Sequence, residues 1–377
     1  MSSNDSGSDA ASPRLLPRFL ALGAVAPVTA LAIGVDGGAV FQILAIEELA
    51  LDPRSVGIAL GLGTLSIPLQ LWAVRIPLEQ ARRNLRIHVV ALGMMAVITA
   101  ALVWFAAPGS LVAGLALVIA VLAEISVSVL YATSLQPLVS YSLSTAERQT
   151  MLGIGRATTG AVLLLSVLLF GQLGTGSRTV FLGTLGLVSF ALAWSLHVLP
   201  HPRTDRDDPS VADGRPQEGA SWAGFGRLFV ALTASALAGW PLLLTWVALV
   251  LWPTVNLGVL GAALSIGSIV SSALWRDPGD RIFVVLRTAA VGTAVCSIGV
   301  AVIPRPIDSF GLLGALVMAL IVVGSASRSI VNIGLMELAH RRVDSRNSVR
   351  VMTMFDVIGS TSFQLGFFLA GFLIAAS

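Results

Sequence analysis

Three carboxylates lie deep inside long apolar stretches: Asp36, Glu124 and Asp356. Asp36 sits in "LAIGVDGGAVFQ", beside Gly37 and Gly38, with Gln42 the next strongly polar side chain. Glu124, Ser128 and Tyr131 fall at i, i+4 and i+7, which gives a helix one polar face. An ionisable group inside a membrane-length apolar segment is costly and marks function by default. A carboxylate in a poorly solvated cavity can bind and release a proton at physiological pH. Proton uptake and release is therefore the chemistry these positions suit, with Asp36 and Glu124 as the expected sites. The structural alternative is that each acid hydrogen-bonds a neighbouring helix and only fixes packing.

A second constellation holds both signs of charge. Ser325, Arg328 and Asn332 make one helical stripe; Thr353, Asp356, Ser360 and, less tightly, Gln364 make another. Arg328 and Asp356 lie at depths that agree within about 5 Å at 1.5 Å per residue, so they can pair across adjacent helices. A buried pair that fixes register competes here with a gating or substrate-binding role. Trp240, Trp246 and Trp252 are candidates to line a lipophilic cavity, although Trp252 suits an interface anchor equally and Trp246 a lipid-facing site. His197 and His201 are separated by Pro200, which breaks the helix a metal pair would need, and Cys296 is the sole cysteine, so no metal site is expected.

The elements that must position these groups follow from composition. Hydrophobic residues make up 55% of the 377-residue chain and charged residues 11%; mean hydropathy is +0.88. A soluble domain carries about 25% charged residues, so this is a polytopic membrane protein. All 23 basic residues are arginine. Without lysine there is no phosphate-binding P-loop and no Schiff-base chemistry. The arginines are scattered over short loops, with no basic, aromatic-laced patch for nucleic acid.

Stretches long enough to span fall at 18–47, 55–75, 87–106, 110–138, 150–173, 179–198, 226–249, 253–275, 282–303, 309–338 and 348–376, eleven in all. Residues 1–17 read as a polar, disordered cytoplasmic tail. The long polar connection, 199–225, separates an N-terminal bundle (18–198) from a C-terminal one (226–377). With the N-terminus inside, 19 arginines fall on inner ends and loops; only Arg54, Arg178 and Arg305 fall on outer ones. The outer two-thirds of spans 3, 6 and 9 carry no charge. The halves also match each other at an offset of 201: Gly57 falls on Gly258, Arg75 on Arg276 and Pro77 on Pro278. Parallel six-helix repeats joined by a long inner loop are a transporter architecture.

In these features the chain, from about residue 18 to its end, resembles the major facilitator superfamily. "VRIPLEQARRN" (74–84) carries the basic end of that family's loop between helices 2 and 3, through Arg82 and Arg83, but lacks its Asp and Gly. "WRDPGDR" (275–281) is the counterpart in the second half, and the helix 5 antiporter motif is not evident. The resemblance implies an all-α bundle of two six-helix repeats whose helices 1, 4, 7 and 10 line a cavity. Only eleven spans are found, so the twelfth, peripheral helix is missing. It further implies a secondary transporter and not an enzyme, needing no cofactor and working as a monomer in a bacterial plasma membrane. The acidic, otherwise sparsely charged cavity suits proton-coupled export of lipophilic small molecules. Proton-coupled uptake of a small solute would use the same carboxylates. An intramembrane transferase would need an Asp-rich metal motif, and the only acidic cluster, Asp205, Asp207 and Asp208, lies in a Pro-interrupted loop.

Overall fold

A computed structural model describes residues 16–32, 41, 44–73, 80–130, 134–135, 138–139, 150–172, 175–196, 226, 230, 247, 251–275, 278–304, 306–307, 310–342 and 357–358. Every described element is helical. In chain order they are α1 (Leu16–Ala32), α2 (Pro53–Gly61), α3 (Ser66–Ala73), α4 (Ala81–Phe105), α5 (Leu111–Leu130), α6 (Arg156–Gln172), α7 (Thr175–Ser195), α8 (Leu257–Leu274), α9 (Ile282–Ala301) and α10 (Leu312–Arg342). Ala81–Phe105, Gly176–Ser195, Ile282–Ala301 and Leu312–Leu338 are long and apolar enough to cross a membrane. The hydrocarbon core is about 30 Å thick and needs about 20 residues. This is an all-α polytopic membrane protein. The linker 199–225 and nearly all of spans 226–249 and 348–376 lie outside the described residues.

Local sequence explains the breaks. The carboxylate of Asp52 accepts from the backbone N–H of Ser55 at 3.0 Å and caps α2. Pro53 takes the first helical position, where its missing N–H costs nothing. The span then tightens into a 3₁₀ turn over Leu62–Leu65 before α3 begins. Pro68 has no N–H to give, and its ring crowds the carbonyl four residues back, so a continuous α-helix through 64–68 is disfavoured. Three helices reach beyond their hydropathy-based limits. The third span starts at Ala81 rather than 87, the sixth at Thr175 rather than 179, and the tenth runs to Arg342 rather than 338. Arginine is a good helix former, so the helix continues through charges at which apolarity ends.

Bundle packing rests on close backbone approach, since lipid offers no hydrophobic drive for helices to associate. On α8, a methyl at Gly267 would lie 2.5 Å from the carbonyl oxygen of Val322 on α10. There Ser325 Oγ donates to the carbonyl of Leu264 at 2.8 Å, locking the two helices together.

The two ends of the bundle differ. At the arginine-poor end a single apolar cluster takes residues from both halves: Leu44, Leu49 and Phe170 from the first, with Leu251, Trp252, Leu260, Val300 and Ile307 from the second. At the arginine-rich end the described residues form separate clusters. Phe19, Leu22, Leu85, Val89 and Leu196 belong to the first half; Ile282, Val331, Leu335 and Leu338 belong to the second.

Two turns, one on each side of the long linker, carry similar backbone contacts. Leu49 N–H donates to the Leu44 carbonyl at 3.0 Å, and Trp252 N–H to the Val247 carbonyl at 2.7 Å, both five-residue steps. In each half the carbonyl just before or at that donor then receives a loop amide. Gly109 N–H donates to Leu49 at 2.9 Å, and Ile307 N–H to Leu251 at 2.8 Å.

Candidate functional site

The halves meet along α6 and α8. A methyl at Gly160 would come within 2.9 Å of Ile269 Cγ1 and 3.4 Å of the Ser265 carbonyl, so the joint depends on glycine at that point. Ser265 is itself buried, its hydroxyl turned back to the Gly261 carbonyl at 3.0 Å. This leaves the α8 surface smooth toward α6.

The residues of the stripe expected around Arg328 all lie on α10. Ser325 is buried, and Arg328 and Asn332 lie half-buried on the same side over the next two turns. Glu124 and Ser128 both lie on α5, one turn apart, with Ser128 nearer the arginine-rich end. Their side chains lie outside the described set, as do Asp36, Gln42, Tyr131, Trp240 and Asp356 altogether.

A polar site that sequence reading passed over stands at the arginine-poor end. Arg178, in the first turn of α7, donates from Nη1 to Glu48 Oε1 at 2.5 Å, with both side chains largely buried. Glu48 ends the π-helical turn Leu44–Glu48 that closes the first span. Arg178 Nε donates to the Phe170 carbonyl at 2.9 Å, one of the orphan carbonyls at the C-terminus of α6. The guanidinium carbon lies 5.3 Å from the Phe170 ring centroid. One arginine thus ties together the ends of the first, fifth and sixth spans. Ala50, two residues beyond Glu48, has φ 48, a left-handed conformation that costs a non-glycine residue about 1–2 kcal/mol.

No family model and no curated protein sequence matches the chain. Solved structures do. A bacterial homologue of the human lysosomal transporter Spinster, in an inward-facing and occupied conformation, superposes with TM-score 0.60 at 14% identity, over 97% of this chain and 82% of that one. The proton:xylose symporter XylE gives 0.59 at 11% identity, over 96% and 94%. The human organic anion transporter MFSD10 gives 0.64 at 14%, over 98% and 95%.

The chain has the major facilitator fold. That fold brings together the ends of α6, α7 and the first span, and so explains why the Glu48–Arg178 pair was missed. The partners are 130 residues apart, and each sits at the edge of its span, where a charge reads as solvated. The outer part of span 6 was expected to be free of charge; because α7 begins at Thr175, it is not. Trp252 is no interface anchor. It is 3% exposed, lies against Gly314 and stacks at a tilt on Phe310, with centroids 5.5 Å apart. Two further buried polar groups lacked a sequence signal. Glu337 is 6% exposed near the arginine-rich end of α10. His88 is 1% exposed on α4, and neither ring nitrogen has a hydrogen-bond partner among the described residues.

Proposed function

We propose that the chain is a secondary transporter that works by alternating access and exports lipophilic small molecules in exchange for protons. The observation that carries this reading is the contrast between the ends. Among the described residues, one apolar cluster joins both halves at the arginine-poor end, while each half keeps its own cluster at the other. The positive-inside bias assigns the arginine-rich end to the cytoplasm, so this arrangement corresponds to an inward-facing carrier in a bacterial plasma membrane. Closing the other end requires the halves to rock about the α6–α8 joint. Asp36 and Glu124 carry the proton, and Gln42, Ser128, Tyr131 and Trp240 contribute the cavity wall. The chain acts as a monomer, with lipid, substrate and protons as its only partners.

The test uses inverted membrane vesicles. Acidifying the lumen should drive accumulation of lipophilic cations or neutral compounds, and a protonophore should abolish it. XylE is described as a symporter, so uptake is the competing direction. Accumulation confined to right-side-out vesicles with an acidic exterior would establish uptake, and the absence of any protein-dependent flux would end the transport reading.

We also propose that Arg328 on α10 pairs with Asp356. Arg328→Ala should then cost about 3 kcal/mol or more by stranding a buried acid, and adding Asp356→Ala should recover part of the loss. Thermal unfolding of the single and double variants decides this; strictly additive losses would reject the pair.

A further inference from the structure

Arg83 and Arg287 are exposed at the arginine-rich end of the protein. On α4, Arg83 heads a stripe that continues through Ile87, Met94 and Ile98, all exposed apolar side chains at helical spacing. On α9, Arg287 is exposed within a stripe of Val284, Val291 and Ile298. These faces are continuous apolar surfaces about as long as a membrane leaflet, and each has a guanidinium near one end.

Three features single these arginines out. First, the helix macrodipole disfavours Arg83, because a cation in the first turn of a helix meets its positive end. Second, neither Arg83 nor Arg287 has a polar partner among the described residues. Third, Arg287 has an exposed repeat counterpart on α4: it falls on Arg86 at the offset of 201 that relates the halves. Arg287 lies about 7 Å along α9 from Ile282, counting 1.5 Å per residue. A guanidinium on a long apolar stem can snorkel from that depth to the headgroup layer. Guanidinium is planar and binds phosphate through two parallel hydrogen bonds, which the ammonium of lysine cannot do.

From this geometry we propose that the lipid-facing sides of α4 and α9 each hold the headgroup of an anionic phospholipid in the leaflet at the arginine-rich end. Arg83 with Arg86 forms one site and Arg287 with Arg281 the other. The acyl chains lie along Ile87 and Met94 on α4, and along Val284 and Val291 on α9.

Native mass spectrometry of the purified full chain tests this with dioleoyl phosphatidylglycerol and dioleoyl phosphatidylcholine. The wild type should retain phosphatidylglycerol at least about fivefold over phosphatidylcholine, and the preference should shrink as salt rises. Arg287→Gln should remove one retained phosphatidylglycerol, and Arg83→Gln with Arg86→Gln the other. Arg287→Lys should keep an intermediate amount. Gel filtration verifies that each variant is folded, and the wild-type salt series stands without any variant. Equal retention of the two lipids, or unchanged retention in the glutamine variants, would overturn the proposal. Displacement of phosphatidylglycerol by millimolar inorganic phosphate would overturn it too, by marking a site for soluble phosphate.

Discussion

Asp36→Asn should leave the protein expressed and inserted but abolish accumulation against a gradient. An aspartate at the centre of a transmembrane helix costs about 2.5–3.5 kcal/mol on insertion scales, and asparagine would cost less. An acid kept in "GVDGG" is therefore expected to do something asparagine cannot, namely release a proton. One proton exchanged per substrate supports about tenfold accumulation per pH unit, since a unit is worth 1.36 kcal/mol. In inverted vesicles with a lumen two units more acidic, the wild type should approach a hundredfold on that arithmetic. Asp36→Asn should level off near unity while still equilibrating substrate down its own gradient. Glu124→Gln should show the same kind of defect, of smaller size. Normal pH-driven accumulation in Asp36→Asn would make the carboxylate a packing residue and remove the proposed coupling.

Arg178→Ala should destabilise the arginine-poor end more than any single apolar truncation there. It strands Glu48 and takes the donor away from the Phe170 carbonyl. Removing one partner of a buried pair costs about 3–5 kcal/mol, which is roughly two to nearly four orders of magnitude in the ratio of folded to unfolded protein. Glu48→Gln should cost less, because an amide oxygen still accepts from the guanidinium. Replacing both residues by apolar ones of similar size, as in Arg178→Met with Glu48→Leu, should recover most of the loss. Denaturant or thermal unfolding in detergent measures all three. An Arg178→Ala protein as stable as the wild type would mean that the pair is exposed to water in solution.

What could be read from the sequence was what repeats locally. Apolar runs located the start of α5 and both ends of α8 and α9 to within a few residues, because a lipid-facing helix must be apolar along its whole length. The stripe Ser325, Arg328 and Asn332 was legible because all three lie on one helix. The helix ends were not, since hydropathy drops at Arg82 and Arg341 although the backbone continues. Pro68 was visible, but its 3₁₀ break was not anticipated within an otherwise apolar stretch. Contacts between distant spans were beyond reach. No window that reads Glu48 alone reveals Arg178, and Trp252 reads equally as a cavity wall and as an anchor until Gly314 is seen to lie against it. The roles of Asp36, Gln42, Tyr131, Trp240 and Asp356 rest on sequence; vesicle transport tests Asp36 and unfolding tests Asp356.

The matched turns after the first span and before α8 bear on how the protein arose. Leu49 and Trp252 make similar five-residue backbone steps, yet their side chains differ in size and shape. What they share is an amide hydrogen and a carbonyl oxygen, which every residue except proline supplies. A contact of that kind survives nearly any point mutation, whereas the side chains around it drift freely. Two turns that agree in a backbone contact and differ in their side chains are what duplication of one ancestral half, followed by divergence, would leave behind.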